Sequence, residues 1–99
     1  MNKLLEAARN YLDITWEDPA LDEKLSGIIQ RGKTYLDRIA GETLSYAERT
    51  KGRELLFEYV RYARANALRD FGGDFSAELN ALHADGEVGR FEREYPELR

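Results

Sequence analysis

The chain of 99 residues has no cysteine and a single histidine, His83. Without cysteine, neither a disulfide framework nor a thiolate metal site can form. A Cys–His catalytic pair is excluded as well, and a serine triad would depend on His83 alone, which no Gly-x-Ser-x-Gly turn accompanies. The sequence therefore predicts no enzyme, no metal and no other cofactor, and His83 is expected at a surface or a helix end.

Long hydrophobic runs are also missing. The longest stretches without a charged residue, 25–30 and 79–84, are six residues each, whereas a membrane span needs roughly twenty apolar residues. Near the amino end, Glu6 interrupts the apolar stretch that a signal peptide would require. We therefore expect no membrane crossing and no export, and we expect the protein in a cytoplasm.

The composition is that of one folded domain with an uneven charge distribution. Hydrophobic residues make up 42% and charged residues 34% of the chain, and the net charge of −4 disfavours general nucleic-acid binding. Residues 49–70 contain six basic and three acidic side chains, whereas residues 74–99 contain three basic and seven acidic ones. These segments are either solvated faces of one monomer or opposite patches that meet on neighbouring copies.

Apolar residues at three- and four-residue spacing predict two helices in the first half of the chain, over 2–12 and 19–40. Asp18 is a plausible N-cap of the second helix, and Gly41 is expected to stop it. Between residues 42 and 48 we expect an ordered loop with apolar side chains tucked under the bundle.

The second half of the chain predicts a long helix over 50–71 and a short one over 75–84, which Gly86 should end. The fold class is therefore all-α: a small bundle of about four helices with one long central helix and a flexible C-terminal tail. We place the helical domain at residues 1–86 and the tail at residues 87–99.

The predicted long helix has an unusually wide apolar arc, so either the chain's own helices cover it or another subunit does. Arg61, Arg64, Tyr59 and Tyr62 are our candidates for a subunit interface. Such arginines could instead hold an anionic substrate, although ion pairing with carboxylates of an adjoining helix or chain is the commoner use.

The tail intersperses apolar residues among charges, which suits a segment that becomes ordered on a partner, although a frayed chain end is the simpler alternative. The candidate docking residues are Phe91, Tyr95, Leu98, Arg90 and Arg93.

Four stretches of the chain together resemble the head-tail connector (adaptor) family of tailed bacteriophages. They are LLEAARNYLDI at 4–14, DEKL and GII within 22–29, YLDRIAG at 35–41, and LLFEYVRYARANAL at 55–68. The likeness is one of overall pattern and covers about residues 2–82. Residues after Gly86 match nothing in that pattern.

The resemblance implies a structural virion protein located in the neck, and in the host cytoplasm during assembly. It implies a homo-oligomeric ring, typically of about twelve copies, that contacts the portal protein and the next neck or tail-completion protein. DNA would pass through the ring without sequence-specific binding. A small helical regulator or antitoxin-like binding module is the alternative, and a helical enzyme comes third.

Overall fold

A computed structural model of the chain describes the backbone of residues 2–94 and the side chains of residues 2–89. Within this range the protein contains helices and no strand, which confirms the predicted all-α class, although it has five helices where about four were predicted. The five helices are α1 (Lys3–Tyr11), α2 (Pro19–Ala40), α3 (Lys51–Arg64), α4 (Leu68–Asp74) and α5 (Ser76–Glu94).

The first half of the chain folds as its sequence predicts. Asp18 accepts a hydrogen bond from the Leu21 N–H at 3.2 Å and so caps α2, with Pro19 in the first turn. Gly41 ends this helix in the left-handed region, with φ of 74°. In the loop that follows, the Tyr46 hydroxyl donates to Asp37 Oδ1 at 2.7 Å and so fastens the loop to α2.

The single long helix predicted for residues 50–71 is not confirmed, because α3 and α4 occupy this segment. Asn66 has φ of 57°, a left-handed conformation that asparagine tolerates better than most residues. The Ala67 N–H bonds to the Tyr62 carbonyl at 2.9 Å and the Asn66 N–H to the Ala63 carbonyl at 3.2 Å. This is the Schellman pattern of a helix end, and it turns α4 back toward the core.

The predicted end at Gly86 is not confirmed either, since α5 continues through it to Glu94. Gly86 is buried where α5 crosses the end of α2, and a side chain there would overlap the carbonyl oxygen of Ala40. Its missing Cβ therefore allows two backbones to approach closely rather than ending a helix. The predicted boundary between residues 86 and 87 lies inside α5, and residues 95–99 lie outside the described part of the chain.

The core forms chiefly where α3 packs against α2. Gly32 of α2 makes this close approach possible: a Cβ at this position would lie 2.7 Å from Leu56 Cδ1 and 2.9 Å from Tyr59 Cδ1. From α4, Phe71 completes the core with an exposed fraction of only 1%. The wide apolar arc of α3 is thus covered by helices of the same chain, α2 on one side and α4 on another.

Candidate interaction surfaces

A cleft of about 340 Å³ lies between α2 and the turn that joins α3 to α4. We call it the basic cleft, because three of its lining side chains are cationic and no lining side chain is acidic. Its cations are Lys24, Arg31 and Arg64, and its other lining residues are Leu21, Leu25, Ile28, Ala63, Asn66 and Leu68. The surface thus combines an apolar floor with a positively charged rim.

The charges of the basic cleft are not neutralised within the described part of the chain. Lys24, Arg31 and Arg64 are all exposed, and none forms an ion pair with a described carboxylate. Lys24 and Arg31 are seven residues apart, so two helical turns place them on the same face of α2. Arg64 is the last residue of α3, where a cation also favours the negative end of the helix dipole. Three like charges around one cleft create a local preference for an anionic partner.

Arg61, by contrast, is engaged within its own helix. Its Nε and Nη2 donate to the two carboxylate oxygens of Glu58 at 2.9 and 2.7 Å. Tyr11 of α1 also donates its hydroxyl proton to Glu58. These hydrogen bonds, that from Arg61 foremost, hold the pKa of Glu58 below its usual range, whereas burial opposes them. Of the two arginines predicted for an interface, only Arg64 therefore presents an unneutralised charge.

The two tyrosines predicted for an interface are held by the chain itself. Tyr59 is only 9% exposed, and its ring packs against Tyr35 and Phe71 with centroid separations of 5.6 Å. The interface prediction is therefore corrected for Tyr59, which is a core residue. Tyr62 is partly buried; its ring lies 5.6 Å from Phe71, and its hydroxyl donates to Asp74 at 2.7 Å. Both rings fix α4 against the rest of the bundle.

A second surface, which we call the acidic groove, lies between α3 and α5. It consists of two adjoining hollows of about 400 and 350 Å³ that share Lys51 and Glu78. The other charged residues lining them are Glu54, Glu58 and Asp85. At about 100° per residue, the residues of α3 that line this groove lie on roughly the opposite side of the helix from those that line the basic cleft. Lys51 forms an ion pair with Glu54 and Arg61 forms one with Glu58, so Glu78 and Asp85 are the lining carboxylates without an ion pair to a described residue. These two carboxylates make the groove acidic, and the protein thus presents two surfaces of unlike charge.

The third surface feature is the connection between α1 and α2, residues 13–18, which we call the Trp16 loop. Trp16 is 50% exposed, an unusual position for so large an apolar side chain. Its backbone is nevertheless held firmly, because Arg9 donates a hydrogen bond to the Trp16 carbonyl oxygen and Ile14 is buried in the core. Asp13, with φ of 60°, occupies the left-handed position that ends α1.

The predicted docking residues of the C-terminal segment fall largely beyond what can be described. Arg90, Phe91 and Arg93 belong to the backbone of α5, but their side chains are outside the described set. Tyr95 and Leu98 lie outside the described residues altogether. Partner docking by this segment stays a prediction.

The sequence patterns did not identify Lys24, Arg31 or Trp16 as candidate interaction residues. A signal for the two cations was present, since they repeat at seven-residue spacing beside Leu21 and Ile28 on α2. The exposure of Trp16 has no comparable signal, because an aromatic residue in a short loop can equally well fold onto the core.

His83 contacts both its own helix and the end of α2. Its Nδ1 lies 3.0 Å from the carbonyl oxygen of Ile39 and its Nε2 lies 3.1 Å from a carboxylate oxygen of Glu87, so the ring links α5 to the end of α2. Across the described residues, no three His, Asp or Glu side chains are grouped as a metal ion would require. None of the described helices is long and apolar enough to span a membrane.

Comparison of the chain with protein-family models, curated proteins and solved structures gives no match in any of the three. The resemblance to phage connectors therefore stays a prediction from the sequence.

Proposed function

We propose that the protein is a structural head-tail connector of a tailed bacteriophage, which forms a ring between the portal protein and the next neck or tail-completion protein. In this role it acts through protein–protein contacts and performs no catalysis. Its place is the virion neck, after assembly in the host cytoplasm, with DNA passing through the ring without sequence-specific contacts.

The observation that carries the proposal is the basic cleft. Three exposed cations surround an apolar floor, and apart from them Asn66 is the only polar residue in the lining. Of the side chains that commonly transfer protons in active sites, this lining contains only Lys24, which is exposed. An acidic protein segment with an apolar side chain fits both parts of the surface, because apolar contact stabilises the complex while charge complementarity selects the partner.

The unlike charges of the two sides of α3 also favour this role. A ring of identical subunits needs a heterologous interface, in which one surface of a subunit meets a different surface of the next. The basic cleft can take part in such an interface when an acidic surface of the next copy faces it, and like-charge repulsion is then avoided.

Electron microscopy tests the proposal directly. The purified protein is imaged alone, with the portal protein of the phage that encodes it, and with portal and neck proteins together. We expect rings attached coaxially to the portal. A protein that remains monomeric and unbound in all three samples would refute the connector role. Selective binding to a DNA sequence or to a toxin would instead identify a small regulator or antitoxin-like module.

A further inference from the structure

We infer that the Trp16 loop of one copy docks in the basic cleft of the next copy and forms the repeating contact of the ring. This inference rests on the connector role proposed above, and it adds the two surfaces that meet. The occupant of the cleft is therefore a second copy of this chain.

The chemistry of the loop complements that of the cleft. Asp13 and Glu17 are exposed on either side of Trp16, and Asp18 follows at the helix N-terminus. Three carboxylates thus accompany one large aromatic side chain, whereas the cleft presents three cations around an apolar floor. Tryptophan is among the residues that contribute most to binding when they enter such a site, and the flanking charges orient the approach.

The shapes also agree. Residues 15–17 of the Trp16 loop are all exposed, so a partner can reach the indole. A cleft of about 340 Å³ has the capacity of a small ligand pocket. The acidic groove has a suitable charge as well, but it is concave, and two concave surfaces cannot fill one another.

The loop is already in a fixed conformation before it binds. Arg9 is 8% exposed and donates to the Trp16 carbonyl oxygen, and its Nε lies 3.6 Å from Asp22 Oδ1. The Ile14 N–H bonds to the Arg9 carbonyl at 2.9 Å, and Asp18 caps α2. A segment held in this way loses little conformational entropy on docking, which favours association.

The Trp16 loop does not occupy the cleft of its own chain, because Trp16 is not among the residues that line that cleft. The loop ends one helical turn before Leu21, the first lining residue of the cleft, but none of its residues lines the cleft, so each copy can offer one loop and accept another. Such a head-to-tail contact forms a ring when the rotation between copies closes.

Two double variants test this contact. Trp16→Ala with Glu17→Lys removes the loop's anchor and reverses one charge, and Arg31→Glu with Arg64→Glu reverses two charges of the cleft. We expect each variant alone to lose association by roughly tenfold or more and to form no rings. Mixed together, they should form one-to-one dimers only, because the intact cleft of the first accepts the intact loop of the second and no further surface remains.

The matched control reverses charges in the acidic groove, with Glu54→Lys and Glu78→Lys, and should leave ring formation within about twofold of the original protein. Circular dichroism melting of all three variants verifies that each is folded. Loss of rings in the groove variant, with rings retained in the other two, would identify the groove as the interface and overturn our assignment.

Cysteine cross-linking supplies a second measurement that leaves Trp16 in place, and the chain has no cysteine of its own to interfere. A Thr15→Cys protein mixed with a Leu68→Cys protein should form a disulfide-linked dimer under mild oxidation, because Thr15 is exposed beside Trp16. Leu68 lines the cleft and is 39% exposed. A Thr34→Cys protein, altered at an exposed position of α2 outside the cleft, should not cross-link to Thr15→Cys.

The outcomes separate this inference from the proposed function. If the original protein forms rings on the portal and the loop and cleft variants do so equally well, the Trp16 contact is wrong and the connector role stands. If the original protein forms no ring even with the portal, and the Thr15→Cys and Leu68→Cys proteins form no cross-link, both proposals are wrong.

Discussion

Replacing Gly86 with alanine tests the packing of α5 most sharply. An alanine Cβ at this position would overlap the carbonyl oxygen of Ala40 and lie 2.9 Å from its carbonyl carbon. The obstructing atoms belong to the backbone at the end of α2, so they cannot rotate away as a flexible side chain would. To accommodate the methyl group, α5 must move away from α2.

Two opposing terms decide the size of the effect. Alanine is favoured over glycine inside a helix by about 1 kcal/mol. Against this, Leu79 and Leu82 of α5 are 7% and 8% exposed, and displacing the helix returns part of their surface to water. Full burial of one leucine is worth about 1.5–3 kcal/mol, and strain from overpacking costs about 1–3 kcal/mol. We expect a net loss of about 1–3 kcal/mol in the free energy of unfolding.

Urea and thermal unfolding followed by circular dichroism measure this loss, which for a domain of this size corresponds to a fall in Tm of roughly 5–15 °C. Gly73→Ala is the matched control, because Gly73 also lies in a helix but a Cβ there meets nothing within 4 Å. This control should be as stable as the original protein or slightly more stable. A Gly86→Ala protein that shows the same gain as Gly73→Ala would refute the close approach of α5 to Ala40.

Further predictions concern a turn, a loop and an ion pair. Asn66→Ala should destabilise the protein by about 1–2 kcal/mol in urea unfolding, because alanine lacks the short polar side chain that lets asparagine tolerate a φ of 57°. Asn66→Gly should cost nothing, because glycine has no Cβ to clash in this conformation. Burial, and secondly the hydrogen bond to Asp37, raise the pKa of Tyr46. The contribution of the protonated Tyr46 hydroxyl to stability is therefore fully present below the unfolded pKa of about 10 and is lost as pH rises from there through the higher folded pKa. Tyr46→Phe should cost about 1 kcal/mol at neutral pH. It should also remove a late-ionising tyrosine from an ultraviolet titration. Arg61 lowers the pKa of Glu58, so the stability difference between the original protein and Glu58→Gln should be present at neutral pH and shrink as pH falls below about 4.

Local signals in the sequence predicted helix starts well and helix ends less well. Asp18 and Pro19 mark the beginning of α2, and Gly41 its end, because each residue satisfies a requirement of the adjoining backbone. Gly86 carries the same ending signal, yet there it serves contact between distant segments. Sequence spacing alone does not distinguish a glycine that ends a helix from one that lets a second helix approach.

For a related reason, the apolar spacing of the sequence does not predict the break between α3 and α4. Asn66 ends α3 with the hydrogen bonds that glycine often makes, but apolar spacing continues across it to Phe71. The periodicity favours one continuous helix. In the structure α4 folds back instead and buries Phe71 against Tyr59, because tertiary packing overrides the local helical preference. The same fold-back makes Tyr59 a core residue and leaves the arginine beyond it, Arg64, on the rim of the cleft.

The requirements of the fold do not account for the surfaces that we assign to assembly. Helix caps and turn residues satisfy the backbone at both ends of α2, and Arg61 and Arg9 each contact a carboxylate of their own chain. Lys24, Arg31 and Arg64 have no such ion pair in the described part of the protein, and half of Trp16 remains in water. Unpaired exposed cations also occur elsewhere in the described chain, at Arg38, Arg49 and Arg69. The basic cleft differs in that three such cations surround one apolar floor. In the ring that we infer, the Trp16 loop of one copy supplies the acidic and aromatic groups that complement the cleft of the next copy.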